Sequence, residues 1–240
     1  MILTALMECY DLLKKKYGTE APHGIPEFGF SREQPDFCLV LDREGEIKLL
    51  EEIETGTVLI LPTTTQSTSR SGKSAYEMPH FLWDKTDYVF GSKNKPGDCD
   101  KHFLFFKKKC EEVGKGLNDE GMQAVLKFLD NWDFNDIENN PKIAEKWSKI
   151  KGKQIVFQLY GNHGKYISDS PSVKEAWKTF VENNELEDNR AEKGEESYEC
   201  VSLLSGKDKP IARLHRKAIR GGMGALVSFN FKAGESYGIE

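Results

Sequence analysis

Short apolar runs separated by charged turns set the fold class of this chain. The segment DFCLVLDREGEIKLL carries one run at 37–41, a turn at 43–45 and a second run at 47–50, and a third run comes at 58–61. Runs this short, bounded by turn formers, suit strands and are too short for helices. The segment therefore reads as a hairpin followed by a third strand. Downstream the period changes to that of a helix. Phe103, Phe106, Cys110 and Val113 share one face of a helix over 98–113. Met122, Val125, Leu126 and Leu129 share a face of a helix over 119–131, with Asn118 or Asp119 as its cap. Pro141 opens a third helix. Residues 154–160 alternate into a strand, the stretch 161–164 turns it, and 165–167 return. Ser170 and Pro171 cap and start a helix carrying Val173, Trp177 and Phe180. Residues 182–197 read as an acidic, mobile connection, and 198–203 and 225–231 as two closing strands around a basic loop. Strands, then helices, then strands around one helix predict an α+β fold: a mixed, mostly antiparallel sheet with flanking helices. One domain over 1–240 accommodates this order, a subdivision near 135–150 being the alternative.

The first seventeen residues place Leu6, Tyr10, Leu13 and Tyr17 on one stripe of an amphipathic helix, expected to pack on the core. Glu8, Asp11 and the lack of a basic leading segment exclude a signal peptide there. No apolar run approaches the roughly 18 residues of a membrane span, so no membrane partner is expected. Cys9, Cys38, Cys99, Cys110 and Cys200 form no C-x-x-C pair and read as reduced thiols of a cytoplasmic protein.

Lys and Arg number 34 against 39 Asp and Glu, a net charge of −5, which excludes a uniformly basic DNA-coating protein. Locally the balance swings. Residues 42–54 carry a net −4 and 179–200 a net −6, while 142–178 carry +5 and 205–232 carry +6. Either the basic stretches form a positive face or they neutralise the acidic ones.

Enzymatic signatures are weak. Gly72-Lys73-Ser74 comes after a strand, as in a phosphate-binding loop. The first glycine of that motif is Ser67 here, and Pro79 cuts short the helix that should hold the phosphate. His23, His80, His102, His163 and His215 show no metal-ligand spacing. Asp84 with Asp87, and Asp98 with Asp100, are carboxylate pairs able to hold Mg2+, or ordinary caps and turn formers. No cofactor is implied.

Loop 63–74 suits nucleic acid better. Gln66 and Arg70 can read base edges bidentately, Ser69 and Ser71 can bond phosphates or base edges, and Lys73 suits a phosphate. The stretch 213–224 adds Arg213, Arg216, Lys217 and Arg220, with Gly221 and Gly222 allowing close backbone approach.

Several strings together carry a resemblance: MILTALMECYDLL, FCLVLDREGEI, FLWDKTDYVFG, LKFLDNW, VFQLYGNHGKYISDSPSVKEAW, PIARLH, and LVSFNFKAGESYG. In order and spacing they resemble the N-terminal part of the large subunit of subtype I-C CRISPR surveillance (Cascade) complexes. The resemblance implies a non-enzymatic role: reading the protospacer-adjacent motif on double-stranded target DNA, helping to open it, and stabilising the R-loop. Guide RNA (met indirectly), other Cascade subunits and a recruited helicase-nuclease are the partners it implies. Subunits of this kind usually extend into a C-terminal helical region, which this sequence lacks. Between His215 and LVSFN the family usually has a longer loop with Gln and Ser, where this chain has IRGGMGA. No motif-reading Gln is carried over there. Gly234 stands where the family tends to have Phe. A nucleotide-binding protein using Gly72-Lys73-Ser74, or a metal nuclease using Asp84, Asp87 or Asp98, are the competing readings.

Overall fold

The computed structural model describes residues 2–64, 67, 70, 75–91, 98–133, 137, 140–188, 199–201 and 208–210. The chain divides into two units, Met1–Asn183 and Asn184–Glu240.

The first unit is built on the hairpin. Strand β2 (Phe37–Leu41) pairs antiparallel with β3 (Ile47–Glu52). Asp42 closes the turn by accepting from the amides of Glu44 and Glu46, an Asx turn. Gly45 adopts φ +80° there, and a Cβ would fall 2.5 Å from the Phe128 amide nitrogen. Only glycine lets the turn approach the neighbouring helix so closely. On its other side β2 pairs in parallel with β6 (Gln154–Leu159), which pairs antiparallel with β5 (Trp83–Lys85), the strand that leads into the short helix α2 (Thr86–Val89). The sheet order is β3-β2-β6-β5. The fold is α+β, with one parallel pairing in an otherwise antiparallel set.

Every residue of β2 is buried, because the sheet is covered on both faces. Phe37, Leu39 and Leu41 point to a helical layer. That layer holds α3 (Asp98–Gly114), α4 (Glu120–Asn131) and α7 (Pro171–Asp188). Cys38 and Val40 point the other way, to Leu61, Trp83 and Val156. Leu61 belongs to β4 (Leu59–Pro62), which pairs with β1 (Phe30–Glu33) as a separate two-stranded ribbon. The third run is therefore a strand, as expected, and it pairs with a segment for which the sequence predicts no strand.

The expected helical faces hold. Phe103, Phe106, Cys110 and Val113 are buried on α3, and Asp119 caps α4 by accepting from the Met122 amide. The single helix expected from Pro141 breaks into α5 (Pro141–Ala144) and α6 (Trp147–Ile150). After β6 the chain forms one bridge, Gln158 to Tyr166, and then a 3-10 turn at Ile167–Asp169 instead of a returning strand. Helix α7 continues to Asp188, through the first part of the stretch expected to be a mobile connection. In the second unit β7 (Glu199–Val201) pairs antiparallel with β8 (Asp208–Pro210), so the partner strand falls where a basic loop was expected. The strand expected at 225–231 lies outside the described residues.

Helix α1 (Ile2–Tyr17) departs most from expectation. Leu6, Tyr10, Leu13 and Tyr17 are 37–48 % exposed, so its stripe does not enter the core, which α3, α4 and α7 already fill. Polar ties hold it instead. The Tyr10 hydroxyl donates to the Pro26 carbonyl, and Lys14 Nζ lies 2.7 Å from Glu27, which also meets Lys178 of α7 at 2.6 Å. Hydrogen bonds from Lys14 and then Lys178 lower the Glu27 carboxyl from 4.5 to about 2. Because the folded value is the lower one, this attachment is complete above pH about 4.5 and is lost as pH falls toward 2. Glu27→Gln should produce the loss at neutral pH. Hydrogen exchange should then show faster exchange confined to α1, and unchanged α1 protection would contradict the tie.

Burial pushes the thiols of Cys38 and Cys110 up to about 12, while Cys9 is exposed. Thiolate is the reactive form. Alkylation of the native chain at pH 8, read by mass spectrometry, should therefore label Cys9 and spare Cys38 and Cys110 until the protein unfolds.

Candidate nucleic-acid interface

The connection from β4 to β5 is closed into a local turn at its start and tied to the sheet at its middle. At the start, the Thr64 amide donates to Ser67 Oγ at 3.0 Å and the Ser67 amide donates to Thr64 Oγ1 at 3.1 Å. Small hydroxyl side chains close such turns by substituting for backbone partners. Ser67 is buried as a result.

In the middle, Arg70 reaches into the sheet. Its Nη1 donates to Asp84 Oδ2 at 2.8 Å and its Nη2 to Asp84 Oδ1 at 2.6 Å, a bidentate pair. Nη1 also meets the Met78 carbonyl at 3.2 Å, and the guanidinium lies 4.5 Å above the Tyr88 ring. Asp84, on β5, has no exposed surface and also accepts from the amides of His80 and Lys85. Burial lowers the pKa of Arg70, but the hydrogen bond and charge of Asp84 outweigh it, so the value is raised. The Tyr88 hydroxyl in turn donates to the Ala75 carbonyl at 2.9 Å, holding the 3-10 turn Ala75–Glu77.

The sequence reading aimed Arg70 at base edges; in the structure both terminal nitrogens of its guanidinium are engaged by Asp84. Position 84 signalled this in advance, since a carboxylate among Phe81, Leu82 and Trp83 is buried with them and needs a cation. Asp84 is thereby the partner of Arg70, and among the described residues no three metal-ligating side chains gather. Gln66, Ser69, Ser71, Lys73, Arg213, Arg216, Lys217, Arg220, Gly221 and Gly222 lie outside the described residues. Immediately after Gly72-Lys73-Ser74 the chain makes a three-residue 3-10 turn, not the long helix a phosphate-binding loop opens.

The basic stretch 142–178 is largely engaged. Lys142 and Lys146 donate to the carbonyls of Ile47 and Leu50, covering the free edge of β3. A lysine-covered edge strand resists pairing with another chain. Lys153 pairs with Asp36, Lys174 with Asp169 and Lys178 with Glu27. Among the described residues, the ammonium groups of Lys149, Lys151 and Lys165 have no such partner. Charge density along the sequence thus overstates the positive surface, because most of these lysines serve the fold.

Among the described residues no helix is long and apolar enough to cross a membrane. The pinned loop, the buried ion pair and the two-faced sheet sit in a chain whose relatives are CRISPR-associated proteins: the family model described as CRISPR-associated protein (Cas_Csd1) matches residues 6–240. The chain belongs to that family, the large subunit of the type I-C Cascade complex, and so to a multi-subunit CRISPR assembly. No curated protein matches the chain.

Proposed function

We propose that this chain is the DNA-reading subunit of its complex. It reads the protospacer-adjacent motif on the target duplex, helps open that duplex and supports the R-loop, without catalysis of its own. In RNA-guided recognition the base pairing reads the sequence, while protein reads a short motif from which opening starts. The observation that carries this reading is the anchoring of the β4–β5 connection, by a buried turn at Ser67 and by the Arg70–Asp84 pair. A loop that reads bases must be held, because each contact depends on placement. Gln66, Ser69 and Ser71 are sequence neighbours of those pins, and Lys73 is close behind. In this reading Gln66 meets a base edge, Ser69, Ser71 and Lys73 meet phosphates or base edges, and Arg70 positions them from below. Arg213, Arg216, Lys217 and Arg220 supply phosphate contacts, and Gly221 and Gly222 allow close approach.

Competition binding by the assembled complex tests this. Gln66→Ala should lose roughly 5- to 150-fold on motif-bearing duplex and little on motif-less duplex. Arg216→Ala, Lys217→Ala and Arg220→Ala should weaken both duplexes alike and reduce the salt slope by about 0.9 each. A wild-type ratio in the Gln66 variant would move motif reading elsewhere. ATP turnover or Mg2+-dependent cleavage by the purified chain would overturn the non-catalytic reading.

A further inference from the structure

Beside the pinned loop runs a strip of rings and cations that the core does not account for. On α3 the buried stripe is Phe103, Phe106, Cys110 and Val113. Lys101, Phe105 and Lys108 fall at i, i+4 and i+7 on a different stripe, with both lysines exposed and Phe105 half-buried. Tyr76, half-buried in the turn after the loop, packs against this strip. Its ring lies 5.4 Å from Phe105 and 6.0 Å from His102, and Lys101 Nζ sits 5.2 Å above it. His102 is 4.6 Å from Tyr88, the ring beneath the Arg70 guanidinium. Ring contacts therefore run unbroken from the loop anchor to the surface of α3.

The charges on this strip are unlike those beside it. Lys107 pairs with Asp130 and Lys109 with Glu112. Among the described residues, Lys101 and Lys108 have no carboxylate partner, and the Tyr76 hydroxyl has no hydrogen-bond partner. Glu77, exposed in the same turn as Tyr76, is one neighbouring acid; along α3, Asp98 and Asp100 precede Lys101 and Glu111 and Glu112 follow Lys108. Leu104, 57 % exposed, extends the apolar surface beside Lys101.

Half-exposed rings between unpaired cations match an unpaired nucleic-acid strand, whose base faces stack on rings while its phosphates meet ammonium groups. A closed duplex offers no free base face, so the ligand is an opened strand. We propose that Tyr76 and Phe105 receive an unpaired DNA base next to the loop, with Lys101 and Lys108 on the adjoining phosphates. The inference rests on the reading of the loop as the place where the duplex opens. The sequence signal was present: Phe105 is an aromatic off the buried stripe, with lysines four before and three after it.

The test uses the full chain and a fluorescent single-stranded DNA oligonucleotide in a salt titration. Tyr76→Ala and Phe105→Ala should each lower affinity by about 5- to 150-fold, while Tyr76→Phe and Phe105→Tyr retain it. Lys108→Ala should reduce the salt slope by about 0.7. An oligonucleotide carrying 5-iododeoxyuridine should crosslink to peptides containing Tyr76 or Phe105. Wild-type affinity in both alanine variants would overturn the proposal. Tighter binding of an RNA of the same sequence would overturn it too, assigning the strip to guide RNA. If the alanine variants lose the single strand but the wild-type complex does not distinguish motif-bearing duplex, the strip stands and the motif-reading role falls.

Discussion

Asp84→Ala is expected to lower the stability of the folded chain by about 3–5 kcal/mol, the range for removing one partner of a buried ion pair. The carboxylate has no exposed surface, and Arg70 is 14 % exposed. Truncation leaves a guanidinium inside whose remaining partners among the described residues are the Met78 carbonyl and the Tyr88 ring, and it takes an acceptor from the His80 and Lys85 amides. For a chain of this size the melting temperature should fall by roughly 6–20 °C. Arg70→Met combined with Asp84→Leu should recover part of the loss, because no charge is left buried, while the His80 and Lys85 amides still lose their carboxylate acceptor. The two proteins then separate structure from recognition: the double variant melts above Asp84→Ala, yet its loop has lost a directional pin. Limited proteolysis should cut the double variant faster between β4 and β5. A melting temperature within a degree or two of wild type for Asp84→Ala alone would mean that the pair is not buried as described.

Trp177→Ala should cost a similar amount, about 3–5 kcal/mol, by a different mechanism. The indole is 1 % exposed and stacks on Phe81 at 5.1 Å and on Phe180 at 5.4 Å. Its Nε1 donates to the Gly29 carbonyl at 2.6 Å, and the Thr63 amide donates to that same carbonyl at 2.8 Å. One oxygen thus joins α7 to the ribbon at the point where the β4–β5 connection begins. Removing the indole opens a cavity and strips one of the two donors from Gly29. Trp177→Phe should recover the ring packing but not the hydrogen bond, and should fall between alanine and wild type. Chemical denaturation checks the series, and equal stability of the phenylalanine and alanine variants would show that the ring packing is not what holds the site.

How much of this was readable in advance differs by level. The helical faces of α3 and α4, a cap at Asn118 or Asp119, and the hairpin of β2 and β3 come from spacing alone, because each depends on residues within a few positions of one another. The same reasoning places α1 on the core and is misled. Amphipathic spacing says that one face of a helix is apolar, not that the interior has room for it. The candidate site divides in the same way. Loop 63–74 stands out by composition, and Arg70 is singled out within it; the apolar neighbours of Asp84 signal that it needs a cation, but nothing local names Arg70 as that cation.

Local pattern, acting over one turn or one pleat, determined most of the helices and strands and which residues of each are apolar, but not β1, β8, the break between α5 and α6 or the turn at Ile167–Asp169. Packing between distant segments decided the remainder. It inserted β6 beside β2, paired β4 with β1, and drew Lys142 and Lys146 onto the edge of β3. It also turned a candidate DNA-reading arginine inward. The physical reason is that a buried carboxylate or a bare strand edge must find a partner wherever the fold brings one within reach, and that reach spans 14 positions for Arg70 and 95 for Lys142.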